Sequence, residues 1–324
     1  MEENTEQRVD LTLFSEKIQE LKDRIACVIV GQEQTVDLVL TAILANGHIL
    51  IEGVPGVAKT LLARLTARLI DADFSRIQFT PDLMPSDVLG TTVFNMKTNG
   101  FDFHQGPIFA DIVLVDEINR APAKTQAALF EVMEERQISI DGTTHRMGEL
   151  YTILATQNPV EQEGTYKLPE AQLDRFLMKI TMDYPSLEEE VNILERHHTN
   201  AALVKLDDIT PAITKEEVLS LRAFMNQVFV DRTLLQYIAL IVQQTRTSKA
   251  VYLGASPRAS VAMLQSSKAY ALLQGRDFVT PEDIKFVAPY VLQHRLILTA
   301  EAEMEGYSPV KVTQRLIDKV EVPK

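Results

Sequence analysis

The sequence of 324 residues contains no tryptophan and a single cysteine, Cys27. One cysteine cannot form an intrachain disulfide and supplies no zinc framework, so the chain suits a reducing compartment. Because Cys27 lies among Ile25, Val28 and Ile29, we expect its thiol to be buried in a core. Aromatic residues make up 6% of the sequence, which predicts cores built mainly from aliphatic side chains.

The sequence also lacks an excess of basic residues and a long apolar run. Lysine and arginine number 32 against 45 aspartates and glutamates, a net charge of −13. Such a charge does not attract the chain to nucleic acid or to an anionic membrane surface. No apolar run reaches the roughly 18 residues that a membrane span requires, and residues 1–10 do not resemble a signal peptide. We therefore expect a cytoplasmic protein without a transmembrane segment and without a specific nucleic-acid partner.

Short apolar runs alternate with amphipathic stretches along the first half of the chain. Five runs have the length and composition of buried strands: residues 48–52, 75–79, 111–115, 151–155 and 177–181. Buried strands separated by helices are typical of a parallel sheet with helices on both faces. The pattern therefore predicts an α/β fold.

The second part of the chain has helix signals and few strand signals. Ser186 with Glu189 and Thr214 with Glu217 form capping boxes, and Pro281 stands at the first position of another helix. The length suits two domains of about 100–200 residues each. We expect an α/β core at residues 1–186, a linker at 187–210 and a smaller all-helical domain at 211–324.

Two hairpin signals interrupt the α/β pattern. Residues 93–103 alternate around Asn99-Gly100, and residues 137–144 alternate around Asp141-Gly142. Both dipeptides favour a type I′ turn of two residues between antiparallel strands. We expect the two hairpins to decorate the sheet rather than to join it.

The strongest chemical signal follows the first predicted strand and precedes a helix. It consists of Gly53, Val54, Pro55, Gly56, Val57, Ala58, Lys59 and Thr60. A phosphate-binding loop needs free backbone N–H groups, a helix N-terminus, a lysine for the β- and γ-phosphates and a hydroxyl for Mg²⁺. Ala58 replaces the second glycine of the general pattern. If this position needs a positive φ, alanine costs about 1–2 kcal/mol, and if it is helical the cost is small.

Polar residues follow two further predicted strands. Asp116 and Glu117 come directly after the apolar Ile112–Val115, at the strand end where ligands bind in open parallel sheets. The first acid can order Mg²⁺, and the second can polarise an attacking water. Asn158 follows the next strand and can orient that water. A strand ending in two acids, or a lone asparagine in a loop, is common, so the combination matters more than either part.

Three arginines have two interpretations each. Arg175, in Leu173-Asp174-Arg175-Phe176, and Arg258, at the start of a helix in the second domain, can neutralise charge on a γ-phosphate. Either arginine taken alone is typical of a surface ion pair. Arg120, just after the acid pair, either faces a neighbouring subunit or is a surface arginine.

Taken in order, these motifs resemble AAA+ ATPases, and specifically the MoxR family. The similar stretches are GVPGVAKT at 53–60, LVDEINRAPAKTQAALFEVMEERQ at 114–137, ATQNPVEQEGTYKLPEAQLDRF at 155–176 and GASPRA at 254–259. Ala58 itself is similar to the MoxR form of the loop. The resemblance implies a P-loop NTPase sheet with a helical lid, and it implies that the hairpins are the helix-2 insert and the pre-sensor hairpin.

The resemblance also implies roles for individual residues. Lys59 and Thr60 would be the Walker A pair, Asp116 and Glu117 the Walker B pair, Asn158 sensor 1, Arg175 the arginine finger and Arg258 sensor 2. Thr60 and Asp116 would hold Mg²⁺. The nucleotide would contact the loop, Leu61, and the adenine segment formed by Val30, Gly31 and Gln32. Whether Arg258 serves its own site or a neighbour's stays open.

The function implied by the resemblance is ATP hydrolysis in a ring, usually a hexamer, with ATP and Mg²⁺ bound between core and lid. The ring would remodel or activate a partner in a chaperone-like way, typically a protein with a von Willebrand factor A domain.

Two other functions of the same clade stay open: the motor subunit of a metal chelatase and a nucleic-acid motor. A nucleic-acid motor predicts basic hairpins, but Lys97 is the one cation in the arms of the first, with His145 and Arg146 near the second. A non-enzymatic, nucleotide-gated scaffold is a third alternative, against which Glu117 and Arg175 argue.

Overall fold

A computed structural model describes residues 11–158, 165–199 and 206–323 of the chain. The predicted core residues 1–10, the motif residues 159–164 and the linker residues 200–205 lie outside the described residues.

The core is a five-stranded parallel sheet with the strand order β2-β5-β8-β1-β9. Its strands are β1 (Ile49–Gly53), β2 (Phe74–Gln78), β5 (Ile112–Asp116), β8 (Thr152–Gln157) and β9 (Met178–Met182). Each lies within two residues of a predicted strand, so the predicted α/β sheet is confirmed. Apolar runs of this length predict strands well because a strand buried on both faces has no polar positions.

Helices cover both faces of the sheet. They are α1 (Leu11–Val28), α2 (Glu33–Leu44), α3 (Lys59–Leu69), α4 (Pro85–Leu89), α5 (Ala123–Glu135) and α6 (Glu170–Leu173). Alternate strand residues belong to different cores, because side chains along a strand point to opposite faces. Ile49 and Ile51 pack with α1, α2 and α3, whereas Leu50 packs with α5 on the other face.

Two hairpins stand apart from the sheet, as predicted. The second joins β6 (Gln137–Ile140) to β7 (Thr143–Arg146) through Asp141 and Gly142, whose φ angles of 49° and 79° fit a type I′ turn. The first joins β3 (Gly90–Asn95) to β4 (Gly100–Gln105). Asn95 pairs with Gly100, so the loop is residues 96–99 and the predicted two-residue turn at Asn99-Gly100 is wrong.

Side-chain hydrogen bonds account for this wider loop. The Asn95 side chain donates to Asp102 at 2.6 Å and accepts from the backbone N–H of Lys97 at 2.9 Å. These bonds stabilise the loop from within, and Asn99 alone takes a positive φ, 48°. Gly100 pairs as a strand residue instead.

The lid is helical, as predicted, and consists mainly of α8 (Lys215–Phe224), α9 (Arg232–Thr247), α10 (Pro257–Leu273), α11 (Pro281–Leu292), α12 (Ala300–Met304) and α13 (Pro309–Asp318). Two very short strands, β10 (Val251–Leu253) and β11 (Ile297–Leu298), form a small antiparallel pair that the sequence did not indicate. Helix α7 (Leu187–His198) fills the described first half of the predicted linker. The domain boundaries themselves stay a prediction.

Cys27 is exposed, so the expectation of a buried thiol is wrong. Helix α1 buries Ile18, Leu21 and Ile25 on one face. Cys27 comes two residues after Ile25, which places it about 200° around the helix and therefore on the opposite side.

His48 lies in the core at the start of β1 and is 4% exposed. Its Nδ1 accepts a hydrogen bond from the Ile153 N–H at 3.0 Å, so Nε2 carries the proton and donates to the Met133 carbonyl at 3.1 Å. Burial, and then the nearby Arg136, lowers the pKa of His48 from 6.5 to about 3. The folded protein therefore holds this imidazole neutral.

We expect the free energy of unfolding to fall as the pH drops below about 6.5. The unfolded chain takes up a proton on His48 near pH 6.5, whereas the folded chain does so only near pH 3. The stabilisation is thus complete above pH 6.5 and is lost between these values, at about 1.4 kcal/mol per pH unit for one proton. In urea unfolding, His48→Gln should show a shallower pH dependence. Equal slopes for His48→Gln and wild type would contradict the assignment.

Candidate functional site

The predicted phosphate loop connects β1 to α3 at the edge where the parallel strands end. Helix α3 begins at Lys59, and its first backbone bond to the loop joins the Leu62 N–H to the Ala58 carbonyl at 2.9 Å. The first N–H groups of a helix have no acceptors within it and carry partial positive charge. The loop therefore presents N–H donors suited to a phosphate group.

Ala58 has a φ of 62° and a ψ of 21°, the left-handed conformation. Of the two alternatives for this position, the one with a positive φ is therefore correct. Alanine in this conformation costs about 1–2 kcal/mol of conformational energy. Gly56 has a φ of 88°, which favours glycine. The backbone shape of the loop is kept although one of its two left-handed residues is not glycine.

Lys59 lies across the loop, and its Nζ donates to the Gly53 carbonyl at 2.6 Å. Burial lowers the pKa of its ammonium group, and the charges of Asp116 and Glu117 act in the opposite direction. The Lys59 ammonium group therefore interacts electrostatically with the carboxylates of Asp116 and Glu117.

Thr156 brings the acid pair together. Its hydroxyl donates to Asp116 Oδ1 at 3.1 Å and accepts from the Glu117 N–H at 3.0 Å. Glu117 has a φ of 57°, which turns the chain sharply at the end of β5. Thr156 is 2% exposed and lies on β8, the strand next to β5 in the sheet. No sequence motif indicated this contact, because it depends on which strands are neighbours.

Each carboxylate of the pair also has a basic or amide partner. Asp116 Oδ2 accepts from Arg76 Nε at 2.6 Å. Glu117 Oε2 accepts from Gln78 Nε2 at 2.8 Å and lies 3.0 Å from Arg120 Nε. Gln78 is the last residue of β2, in register with Asp116. No motif in the sequence indicated Arg76 or Gln78, although a polar residue at the end of β2 was a usable signal. Arg120 contacts Glu117 of its own chain.

The remaining predicted nucleotide residues lie at the same edge or next to it. Asn158 is buried and follows the end of β8 by one residue. Val30, Gly31 and Gln32 connect α1 to α2, and Gly31 has a φ of 73°. A Cβ on Gly31 would overlap the carboxylate of Glu189, so α7 closes over this segment.

The donor set fits a magnesium ion bound together with phosphate. Thr60 supplies a hydroxyl and Asp116 a carboxylate, and Mg²⁺ is usually held by one or two carboxylates plus water and substrate phosphates. Within the described ranges, no cluster of three or more histidine, cysteine, aspartate or glutamate side chains forms a cage for a metal. A metal at this edge would therefore depend on the phosphates for part of its coordination.

Arg175 and Arg258 lie at the opposite edge, where the strands begin. Arg175 stands three residues before β9, and its Nη1 donates to the Phe130 carbonyl. Arg258 pairs with Glu134, and its Nη1 is 4.0 Å from Asp174 Oδ2. β1 and β9 are parallel and in register, so the length of β1, five residues, separates this edge from the phosphate loop. That length is about 13 Å.

Known proteins share this architecture. The model of the ATPase family associated with various cellular activities matches residues 48–178, and the AAA lid domain model matches residues 243–318. The chain is 47% identical to the uncharacterized protein YeaC of Bacillus subtilis, over 91% of this chain and 92% of that one. It is 44% identical to Chaperone MoxR1 of Mycobacterium tuberculosis, over 92% and 80%. The crystal structure of a candidate ATPase from Cytophaga hutchinsonii superposes with a TM-score of 0.88, at 41% identity and over 97% of both chains.

Proposed function

The chain belongs to the MoxR family of AAA+ ATPases, and on this premise we propose that it binds ATP with Mg²⁺ and hydrolyses the bond to the γ-phosphate. The observation that carries the proposal is the meeting of Lys59, Asp116 and Glu117 at one sheet edge, with the ammonium group in the field of both acids. The loop N–H groups and the start of α3 suit the phosphates. Val30, Gly31 and Gln32 would contact the adenine base.

The residues at this edge of the sheet would have separate roles in binding and hydrolysis. Thr60 and Asp116 would hold Mg²⁺, which when bound neutralises charge on the phosphates. Glu117 would polarise the attacking water through Oε1, because the described contacts of its carboxylate are both on Oε2. Asn158 would orient the same water.

We propose further that Arg175 and Arg258 act on the ATP of a neighbouring subunit. They lie at the strand-start edge, and the sheet separates them from the phosphate loop of their own chain. Contact between the two edges of successive copies would complete each site, and repeated head-to-tail contacts form a ring when the rotation between successive copies closes. A hexamer is the ring that the family resemblance implies.

We expect the purified chain to release phosphate from ATP when Mg²⁺ is present. Chelating the metal with EDTA should lower the rate by on the order of 100-fold, because the metal stabilises developing phosphate charge by several kcal/mol. Excess Mg²⁺ added back should restore the rate. Hydrolysis that continues undiminished in EDTA would contradict the magnesium site.

We propose that ATP hydrolysis drives the chaperone-like remodelling of a cytoplasmic protein partner with a von Willebrand factor A domain. The first hairpin exposes Phe94, Met96 and Phe101, with the two rings 5.3 Å apart. The tip of this hairpin is apolar, and Lys97 is the cation of its loop. Such a tip suits a protein surface better than a nucleic-acid backbone.

A metal-chelatase motor subunit would use the same nucleotide site and stays the alternative. Among the described helices, none has the length and apolar character of a membrane span.

Replacing Phe94 and Phe101 together by serine should leave basal ATP hydrolysis within about twofold of wild type, because surface substitutions usually change free energies by under about 0.5 kcal/mol. Stimulation by the partner should disappear, since the hairpin has lost its apolar tip. Phosphate release with and without a von Willebrand factor A domain protein that stimulates the wild type measures both. Tyr252→Ser, at an exposed aromatic residue of the lid, should keep the stimulation. Full stimulation of the double variant would remove the hairpin from partner binding.

A further inference from the structure

Arg295 belongs to the lid, yet its side chain binds the segment of the core that carries Arg175. Its Nε donates to Asp174 Oδ1 at 2.6 Å. Its Nη2 donates to the carbonyls of Asp174 at 3.2 Å and Phe176 at 2.7 Å, and its Nη1 to the carbonyl of Leu177 at 3.1 Å. All three guanidinium nitrogens therefore contact residues on either side of Arg175, and the side chain is 4% exposed.

The two residues before Arg295 contact the same part of the core. His294 Nε2 lies 3.1 Å from the Phe176 carbonyl, and Gln293 Nε2 donates to the Lys179 carbonyl at 2.5 Å. Three consecutive side chains after α11 thus bind the backbone from the end of α6 to the start of β9. A planar guanidinium is the most demanding of these partners, because its donors are fixed relative to one another. Arg295 therefore constrains both position and orientation of the segment.

Asp174 connects Arg295 to Arg258. Its Oδ1 binds Arg295, and its Oδ2 lies 4.0 Å from Arg258 Nη1. Burial lowers the pKa of the Arg295 guanidinium, and the bond to Asp174 acts against that change. A charge this deeply buried needs its partner, since an unpaired buried charge is strongly destabilising. The lid and the residue next to Arg175 are therefore held together by a pair that does not separate easily.

Arg175 itself makes few of the hydrogen bonds described for this segment. Its side chain donates to the Phe130 carbonyl, and its backbone N–H donates to the Gln172 carbonyl at 3.2 Å. Phe176 packs edge-to-face on Phe130 and anchors the segment from one side. The lid supplies the other side through Arg295.

We propose that Arg295 is a positioning residue: it holds residues 174–177 so that Arg175 reaches the ATP of the neighbouring subunit, and it makes the finger follow the lid of its own chain. This inference rests on the proposed function, because it assigns a support to the proposed finger. Movement of a lid would then be transmitted to hydrolysis in the next site of the ring.

The test compares two lid arginines that both donate to core carbonyls. Arg295→Met removes the bonds to the finger segment, and Arg222→Met removes bonds to the Ile43 and Glu149 carbonyls, each 2.8 Å. We expect Arg295→Met to lower kcat for ATP by about 10- to 100-fold, since a displacement of about 1 Å has effects of this size. KM for ATP should change by less than about twofold because the phosphate loop is untouched. Arg222→Met should leave both constants near wild type.

Subunit mixing distinguishes positioning from a general loss of structure. Arg295→Met subunits keep an intact phosphate loop, and Lys59→Ala subunits keep an intact Arg175 and Arg295. The mixture should therefore regain activity that neither variant has alone. If Arg295→Met fails to fold, Asp174→Asn, which keeps the shape and removes the charge, should show the same fall in kcat and the same rescue.

Three results would overturn the inference. A raised KM with an unchanged kcat would place Arg295 in nucleotide binding of its own chain. Equal losses in Arg295→Met and Arg222→Met would show a general role in docking the lid. Rescue of Arg175→Ala by Lys59→Ala subunits, without rescue of Arg295→Met, would show that Arg295 does not act through Arg175. Wild-type turnover of Arg175→Ala is a different outcome, because it removes the proposed finger itself.

Discussion

Glu117→Gln is expected to bind ATP as tightly as wild type and to hydrolyse it about 10²- to 10⁴-fold more slowly, the usual contribution of a positioned general base. Lys59, Thr60 and Asp116 remain to hold the phosphates and Mg²⁺, so binding and chemistry should separate. The glutamine carbonyl can still accept the hydrogen bond that Gln78 donates to Glu117 Oε2, and the exposed Arg120 loses only an ion-pair partner. The fold of the edge should therefore survive.

Fluorescence anisotropy of a labelled ATP analogue measures the binding, and phosphate release measures the turnover. Glu135→Gln, the same chemical change at an exposed position on α5, is the matched control and should behave as wild type. Lys59→Ala should lose binding as well as turnover, because it removes the charge at the loop. Near-normal turnover in purified Glu117→Gln would exclude Glu117 as the catalytic carboxylate.

Arg175→Ala is expected to be almost inactive alone and active when mixed with Lys59→Ala. An arginine finger contributes about 10³–10⁵ in rate, which is about 4–7 kcal/mol of barrier. The structure places Arg175 at the edge away from its own phosphate loop, so its loss should affect the next subunit. An Arg175→Ala subunit has a working loop, and a Lys59→Ala subunit has a working finger.

In an equal mixture, a complete site forms where an Arg175→Ala subunit presents its loop to the finger of a Lys59→Ala subunit. Random assembly gives this order at about one interface in four, so activity should rise to about a quarter of wild type if sites act independently. Exchange of subunits is verified first, by energy transfer between differently labelled copies at the exposed Cys27. An inactive mixture at every ratio, with exchange demonstrated, would contradict action in trans.

The sequence was sufficient for the features that depend on neighbouring residues in the chain. The five strands, the Asp141-Gly142 turn and the capping boxes at Ser186 and Thr214 follow from local periodicity and turn chemistry, and all were found. The phosphate-loop motif and the acid pair were also recognisable, since each is a short segment beside a strand. The expectations failed at Cys27, which lies on the side of its helix opposite Ile25, and at the first hairpin, where the Asn95 side chain stabilises a wider loop.

Tertiary structure decided which distant residues meet. The order β2-β5-β8-β1-β9 places Thr156 and Gln78 beside the acid pair, although 39 residues separate each from Glu117 along the chain. It also sets Arg175 and Arg258 at the far edge and brings Arg295 onto Asp174 across 121 residues. Hydrophobic periodicity specifies which residues are buried, but it carries no information on which strands become neighbours. Strand order and lid placement depend on the packing of whole elements, and the site is assembled only at that level.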